Sequence, residues 1–329
     1  MDRDSVLFFG DINVDNIFTV DEIPEPGRDA YSDQAEMKLG GAVCNSAVVL
    51  SGLGQTCAIL GAVGDDIWAD IVHQELTNAG VNTNFICRKN EKATGLIFIA
   101  VIPDGERTMF SYRGANTTIT PQDLPEDLLN NIGLVEFSGY AFMSSPQKDT
   151  AWRVIEMARQ RGIPCSLDTG LDPVIHRPEA MQEVISQINI LITGEEEAKQ
   201  LTGKSTHEAQ ISTLIDAGLE WAAIKLGSSG ALLGWKGGLT SQPAFPVSVK
   251  DTTSAGDAFS AGIIFGYHQD LSPAASLTLA NLLGGLATTV YGAARISSED
   301  VMKYMTNTGR ETEPGEGLFK EIGSSLSAM

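Results

Sequence analysis

An α/β fold with a mainly parallel central sheet and helices on its faces is what the 329-residue sequence predicts, on three observations. Short apolar runs rich in β-branched residues are followed by Gly-bearing loops and then by longer segments at helical spacing, the order expected of strands joined by helical crossovers. The length and a hydrophobic content of 43% are enough for a sizeable core. Two further segments read as strands without an intervening helix, so a second, smaller sheet stands off the main layer.

The elements follow in order. The first strand is "VLFFGDI", residues 6–12. After the Pro-rich "DEIPEPG", the stretch "GRDAYSDQAEMKLGG" (residues 27–41) is strand-like. "GLIFIAVIPDGERTMFSYR" (residues 95–113) consists of two strand-like runs around Asp104-Gly105, a dipeptide that favours tight hairpins. In "QKDTAWRVIEMARQRG", Ala151, Val154, Ile155 and Ala158 fall at i, i+3, i+4, i+7 and predict a helix closed by Gly162. "IPCSLD", "INILITG" and "AQISTLIDAGLEWAAIKLG" continue as strand, strand, then helix and strand. A helix is expected to begin near Ser254, and residues 308–329, rich in Gly, Ser and Glu, are expected to be a loosely attached tail on a single domain spanning residues 1–329.

Charge and cysteine content narrow the function. Asp and Glu number 42 against 22 Lys and Arg, a net charge of -20, which argues against a sequence-independent grip on nucleic acid or an anionic membrane. Cys44, Cys57, Cys87 and Cys165 form no CxxC and no Cys/His cluster, so a reduced, cytoplasmic setting is expected rather than a disulfide or zinc scaffold. No run reads as a signal peptide or an uninterrupted membrane span. "LTGKST" imitates the end of a phosphate-binding P-loop, but Ala198 stands where the first Gly is required. No full GxGxxG is present, and "GSSG" is a poor substitute for the GxSxG elbow of a hydrolase.

The stretch that carries chemistry is "DTTSAGDAFSAGIIFGY", residues 251–267. Free N–H groups at a helix start favour an anion, and the small side chains of Ser254, Ala255 and Gly256 let that backbone approach a bulky phosphate. Asp257 then falls in the first turn, beside the anion site.

"DTTSAGDAF" resembles the C-terminal signature of the ribokinase-like (PfkB) carbohydrate kinases, and "GGAVCNSAVVLSGLGQTCAILGAVGDD" (residues 40–66) resembles their N-terminal signature. The resemblance runs in order from "GDINVD" to "VYGAARIS". It implies the ribokinase-like three-layer α/β/α fold with a small β-sheet lid, here about residues 13–39 and 93–114, and a homodimer formed through that lid. It implies an ATP- and Mg2+-dependent sugar kinase in which K+ supports the anion hole of Ser254, Ala255 and Gly256, and Asp257 is the catalytic base.

The other roles it implies come residue by residue. Asn13, Asp15, Gly40, Gly41 and Asn45 line the sugar pocket. "KLGSSGAL" resembles the nucleotide loop, with Lys225, Gly227, Ser228 and Gly230, while Asn281 and Gly292 border the adenine. Glu197 in "ITGEEEA" organises magnesium through its water, although Gly194 replaces the family's Asn in that motif, and Asp251 begins the monovalent-cation loop.

For the acceptor, Ala42 replaces the Lys common in the ribokinase branch, and "RGANTTIT" resembles a ribokinase stretch. Tyr112 and Arg113 resemble the pair with which deoxygluconate kinases hold a carboxylate, but the second basic residue expected of those enzymes is missing from "DTGLDP". Sugars and sugar acids remain open as acceptors. So do a nucleoside kinase of the same fold and a non-catalytic sugar or nucleotide sensor.

Overall fold

The computed structural model describes residues 3–103, 107–290, 292, 294–307 and 316–329. The N-terminal part runs β1 (Ser5–Phe9), β2 (Asn13–Thr19), β3 (Ala35–Gly40), α1 (Ala42–Gly52), β4 (Cys57–Gly64), α2 (Ile67–Asn78), β5 (Asn82–Lys89), β6 (Gly95–Val101) and β7 (Arg107–Tyr112). The middle runs β8 (Ile132–Ser138), α3 (Gln147–Gln160), β9 (Cys165–Asp168), α4 (Leu171–His176), α5 (Pro178–Ile185), β10 (Ile190–Gly194), α6 (Glu195–Thr202), α7 (His207–Asp216) and β11 (Trp221–Lys225). It closes with β12 (Ala231–Trp235), β13 (Gly238–Gln242), α8 (Ala255–His268), α9 (Pro273–Ala287), α10 (Ser298–Asn307) and α11 (Glu316–Ser327).

The central sheet has the order β13-β12-β11-β10-β9-β8-β1-β4-β5, parallel from β11 to β5, with β12 and β13 added antiparallel at one edge. Successive side chains of a strand point to opposite faces, so a strand buried on both sides must be apolar at every position. β1 shows this: Val6 and Phe8 enter one core with α1, α2, α8 and α9, while Leu7 and Phe9 enter the other with α3, α5, α6 and α7. Three layers result. Gly262 and Gly266 of α8 let α9 approach closely, since a Cβ on either would fall within 2.5 Å of Ala280 or Ser276.

The chain leaves β1 toward β4 on one side and later returns to β8 on the other. Such a reversal of strand order opens a crevice at the C-terminal ends of the strands, where ligands of open α/β sheets bind. Asp11 just beyond β1, Ser138 ending β8, Asp168 ending β9, Gly194 ending β10 and Lys225 ending β11 all lie at that end.

The second sheet, β3-β2-β6-β7, takes β3, β6 and β7 from the two non-crossover segments, and β2, which the sequence does not predict as a strand, lies between β3 and β6. β6 and β7 pair antiparallel, as a hairpin requires, although the turn residues Asp104 and Gly105 lie outside the described residues. The strand expected over residues 27–41 is confined to Ala35–Gly40. The tail expectation needs a larger correction. Residues 316–327 form α11, which buries Ile322 and Leu326 in the same core as α9, so this segment is packed by its apolar face. Residues 308–315 lie outside the described residues. Among the described residues no helix is long and apolar enough to cross a membrane.

Candidate active site

Two helix N-termini converge on the crevice. α1 starts after Gly41, whose φ of 98° and whose contact with the Asp11 carbonyl, 2.3 Å from where a Cβ would stand, admit only glycine. α8 starts after Ser254, held in the left-handed region at φ 58°. A non-glycine residue there costs about 1–2 kcal/mol. The loop secures it through the Ser254 hydroxyl, which accepts the Ala294 amide at 3.3 Å. Ala255 and Gly256 open the helix, and Asp257 occupies its first turn as the sequence predicts.

Asp257 ties the two helices together. Its Oδ2 accepts the Asn45 amide at 2.7 Å, and its carbonyl accepts the Ser46 hydroxyl at 3.0 Å. Burial, and then the nearby Asp168, push its carboxyl up to about 6, against the Asn45 hydrogen bond and the charges of Lys225 and Arg107.

On one side of Asp257 lie the residues that the resemblance assigns to a sugar pocket. Asn13 stands in register with Gly40 on β3 and Gly95 on β6, and its Oδ1 accepts Asn116 Nδ2 at 3.0 Å. Asn116 also exchanges hydrogen bonds with the Ile12 backbone, which fixes the start of β2. Asp15 packs over Gly40, where a Cβ would lie 2.0 Å from its Oδ1. Burial and the Asp257 charge raise Asp15 to about 7, while Arg107 works against them. Asp15 Oδ1 and Asn45 Oδ1 are buried without a hydrogen-bond partner. Both are acceptors, so what they lack is a donor.

On the other side Lys225 places Nζ 2.9 and 3.0 Å from the two oxygens of Asp168, and Ser260 donates to Asp168 Oδ2 at 2.6 Å. Burial opposes the lysine's charge, but Asp168 and Glu197 outweigh it and raise its pKa. Beyond them opens a cleft of about 520 Å³, lined by Lys225, Gly227, Ser228, Gly230, Gly256 and Asn281, with Phe245 and Val247 as apolar walls. Glu197 turns its carboxylate back onto the Gly194 amide at the head of α6, and a side chain at 194 would meet that carboxylate at 2.5 Å. Gly203 of the P-loop look-alike is a left-handed C-cap of α6, the wrong end of a helix for an anion.

Three expectations change. Gly292 does not line the cleft: its amide donates to Asp251 Oδ2 at 2.7 Å, so the loop approaches the start of the anion-hole segment instead. Asp251 also accepts the amide and hydroxyl of Thr253, and these bonds hold its carboxyl below the usual range despite burial. Tyr112 pairs with Leu96, in the row of Val14 rather than of Asp15, so it lies on the opposite face of the small sheet from Asp15. Arg113 is committed to Asp11, with Nε and Nη2 at 2.6 and 2.8 Å from the two oxygens.

Four residues were missed by sequence reading. Asp168 had a signal, a charged residue closing a buried parallel strand. Asn116 and Asp11 act through contacts across about a hundred residues of sequence, which no local pattern announces. Arg107 reaches from β7 to donate to the Thr253 hydroxyl at 2.6 Å, placing a positive charge from the small sheet over the anion-hole loop.

Known proteins resemble this chain over most of its length. Residues 3–300 match the pfkB family carbohydrate kinase profile. Ribokinase of Staphylococcus aureus is 29% identical over 77% of this chain and 83% of its own length. An ATP-dependent ribose-1-phosphate kinase of Halopiger xanaduensis is 27% identical over 90% of this chain and 96% of its own. A ribokinase-like protein of E. coli, solved in complex with ATP and Mg2+, superimposes with a TM-score of 0.82 at 22% identity over 92% of this chain and 99% of that one, which shows the ribokinase-like fold.

Proposed function

By the match over residues 3–300 the chain belongs to the pfkB family of carbohydrate kinases, phosphotransferases with an alcohol acceptor, and we propose that it moves the γ-phosphoryl group of ATP to a hydroxyl of a small sugar, with Asp257 as base. The observation that carries this reading is the position of Asp257. It sits in the first turn of α8, between the cleft that Gly256 lines and the corner of Asn13, Asp15 and Asn45.

In that arrangement the nucleotide occupies the cleft, with its adenine between the apolar walls and its phosphates toward Lys225, Gly227, Ser228 and Gly230. The amides of Gly256 and Asp257 at the head of α8 face the transferring group and stabilise charge as it develops, while the Ala255 amide donates to the Thr252 carbonyl at 3.4 Å and shapes the loop around them. The orphaned oxygens of Asp15 and Asn45 receive donors from the sugar hydroxyls. Asp257 takes the proton of the attacking hydroxyl. A carboxylate near pKa 6 is ionised at neutral pH, and a loose phosphoryl-transfer transition state needs the proton removed late. Arg107 adds positive charge above the anion-hole loop.

Glu197 and Asp168 are hard oxygen donors at the phosphate end, suited to magnesium. Lys225 and the Gly194 amide already occupy much of their lone-pair space, so they fit a hydrated ion held through its waters. Bound there, magnesium would neutralise charge on the phosphates. Asp251 has three donors on its two oxygens, which leaves room for one contact to a monovalent cation such as K+.

The small sheet acts as a lid over the sugar and as the homodimer surface. Its outer face aligns Met37, Phe98 and Phe110 with Asn16 in one cross-strand row, and those three apolar side chains are exposed. A coupled ADP-release assay over neutral sugars, sugar acids and nucleosides, with Mg2+ and K+, tests the reading. Turnover of a sugar is expected; ligand binding without turnover of any acceptor would contradict it and leave a sensor.

A further inference from the structure

Two guanidiniums reach the sugar side, Arg107 from the small sheet, whose charge acts on Asp15 and Asp257, and Arg113, whose hydrogen bonds show where its own charge is spent. Arg113 Nε donates to Asp11 Oδ2 at 2.6 Å, and Nη2 donates to Asp11 Oδ1 at 2.8 Å, the two-pronged geometry in which arginine holds a carboxylate best. The same Nη2 reaches the Tyr140 carbonyl at 2.8 Å and Gln147 Oε1 at 2.6 Å. Gln147, fully buried at the start of α3, returns a hydrogen bond from Nε2 to Asp11 Oδ1 at 2.8 Å. Arginine, aspartate and glutamine thus form a closed triangle at the end of β1, two residues before Asn13.

On the sugar side the unsatisfied groups are acceptors, Asp15 Oδ1 and Asn45 Oδ1, and the charges acting there are the carboxylates of Asp15 and Asp257 with the single guanidinium of Arg107. Lys225 is paired with Asp168 and Lys38 with Glu36, while Arg107 donates to the neutral Thr253 hydroxyl and its one charge is shared between the two carboxylates of Asp15 and Asp257. A ligand that brings hydroxyl donors completes the corner. A ligand that brings a carboxylate meets like charges and an arginine whose fork is already filled.

We propose that Asp11 is a specificity-determining residue that occupies Arg113 internally, so that the enzyme takes uncharged polyol acceptors and rejects sugar carboxylic acids. The proposal rests on the kinase reading above and narrows its acceptor class. Arg113 is then a positioning residue that links β1, the end of β7 and α3.

The test pairs each neutral sugar with its own acid, for example ribose with ribonate and glucose with gluconate. Turnover is followed by ADP release, and binding by titration calorimetry. For the wild type, kcat/KM for the best neutral sugar should exceed that for any acid by about 100-fold or more, the scale of an uncompensated like-charge contact. In Asp11→Asn the freed guanidinium should shift the acid-to-neutral ratio toward acids by about tenfold or more. The double variant Asp11→Asn/Arg113→Met, in which the guanidinium is also gone, should show no such shift. Wild-type turnover of an acid as efficient as that of its neutral partner would overturn the proposal, whether or not the variants fold. So would an unchanged ratio in a folded Asp11→Asn. If no acceptor of either kind turns over, the kinase reading fails, and calorimetry still decides this one: tighter binding of acids than of their neutral partners overturns it.

Discussion

Asp168 and Asp15 are both carboxylates flanking Asp257, and the fold treats them in opposite ways. Asp168, on the side proposed for the phosphates, receives Lys225 on both oxygens and Ser260 on one of them. Asp15, on the side proposed for the sugar, keeps one buried oxygen with no partner and is pushed up to about 7. One half of the crevice is therefore electrically complete before a ligand arrives, and the other is complete only with one. A polyanion such as ATP needs a preformed site of amides and a balanced lysine, particularly on a chain of net charge -20. A polyol needs acceptors waiting for donors.

That contrast can be broken from either side. Asp15→Asn should raise the KM for sugar by about 10- to 100-fold, the range expected for hydrogen bonds to a charged group, with little change in the KM for ATP. Lys225→Met should do the reverse, raising the KM for ATP by about tenfold or more and lowering the melting temperature, because Asp168 is left charged and partly buried. Equal effects of both variants on both substrates would erase the distinction between the halves.

The pH dependence sharpens it further. If Asp257 is the base, as proposed, it must be ionised, so kcat/KM should fall as pH drops through about 6, with coupling to Asp15 spreading the limb toward 7. Stability moves in a related way. Asp15 has its pKa raised from 3.8 to about 7 on folding, so the folded chain binds more protons between those values, and stability falls as pH rises through that window. Asp15→Asn should flatten this slope in melts between pH 4 and 7. The smallest effect is expected at Ser254→Gly. Relief of about 1 kcal/mol of left-handed strain is offset by added chain entropy and the lost bond to Ala294, so the melting temperature should hardly move.

What the sequence made legible follows from range. The helix spacing of Ala151, Val154, Ile155 and Ala158, the apolar run of β1 and the small residues ahead of Asp257 are local patterns, and each marks its element correctly. The two strand segments without a crossover helix likewise announced the second sheet. The face on which Tyr112 lies depends on register against Leu96, which its own sequence does not encode. The commitment of Arg113 depends on Asp11, 102 positions away, and the packing of α11 depends on a core formed by helices that precede it. Gly292 looked like a member of the adenine loop, but its amide serves Asp251. Composition suggested a loose tail because Gly, Ser and Glu hide the spacing of Ile322 and Leu326.

Where the two halves meet, Asp257→Asn keeps the side chain's shape and removes its basicity. Titration calorimetry with ATP and sugar, alongside the ADP-release rate, should show both ligands bound within a few-fold of wild-type affinity and turnover reduced by about 10²–10⁴-fold. An Asp257→Asn protein that binds both ligands and still turns over at the wild-type rate would contradict the assignment of Asp257 as the base.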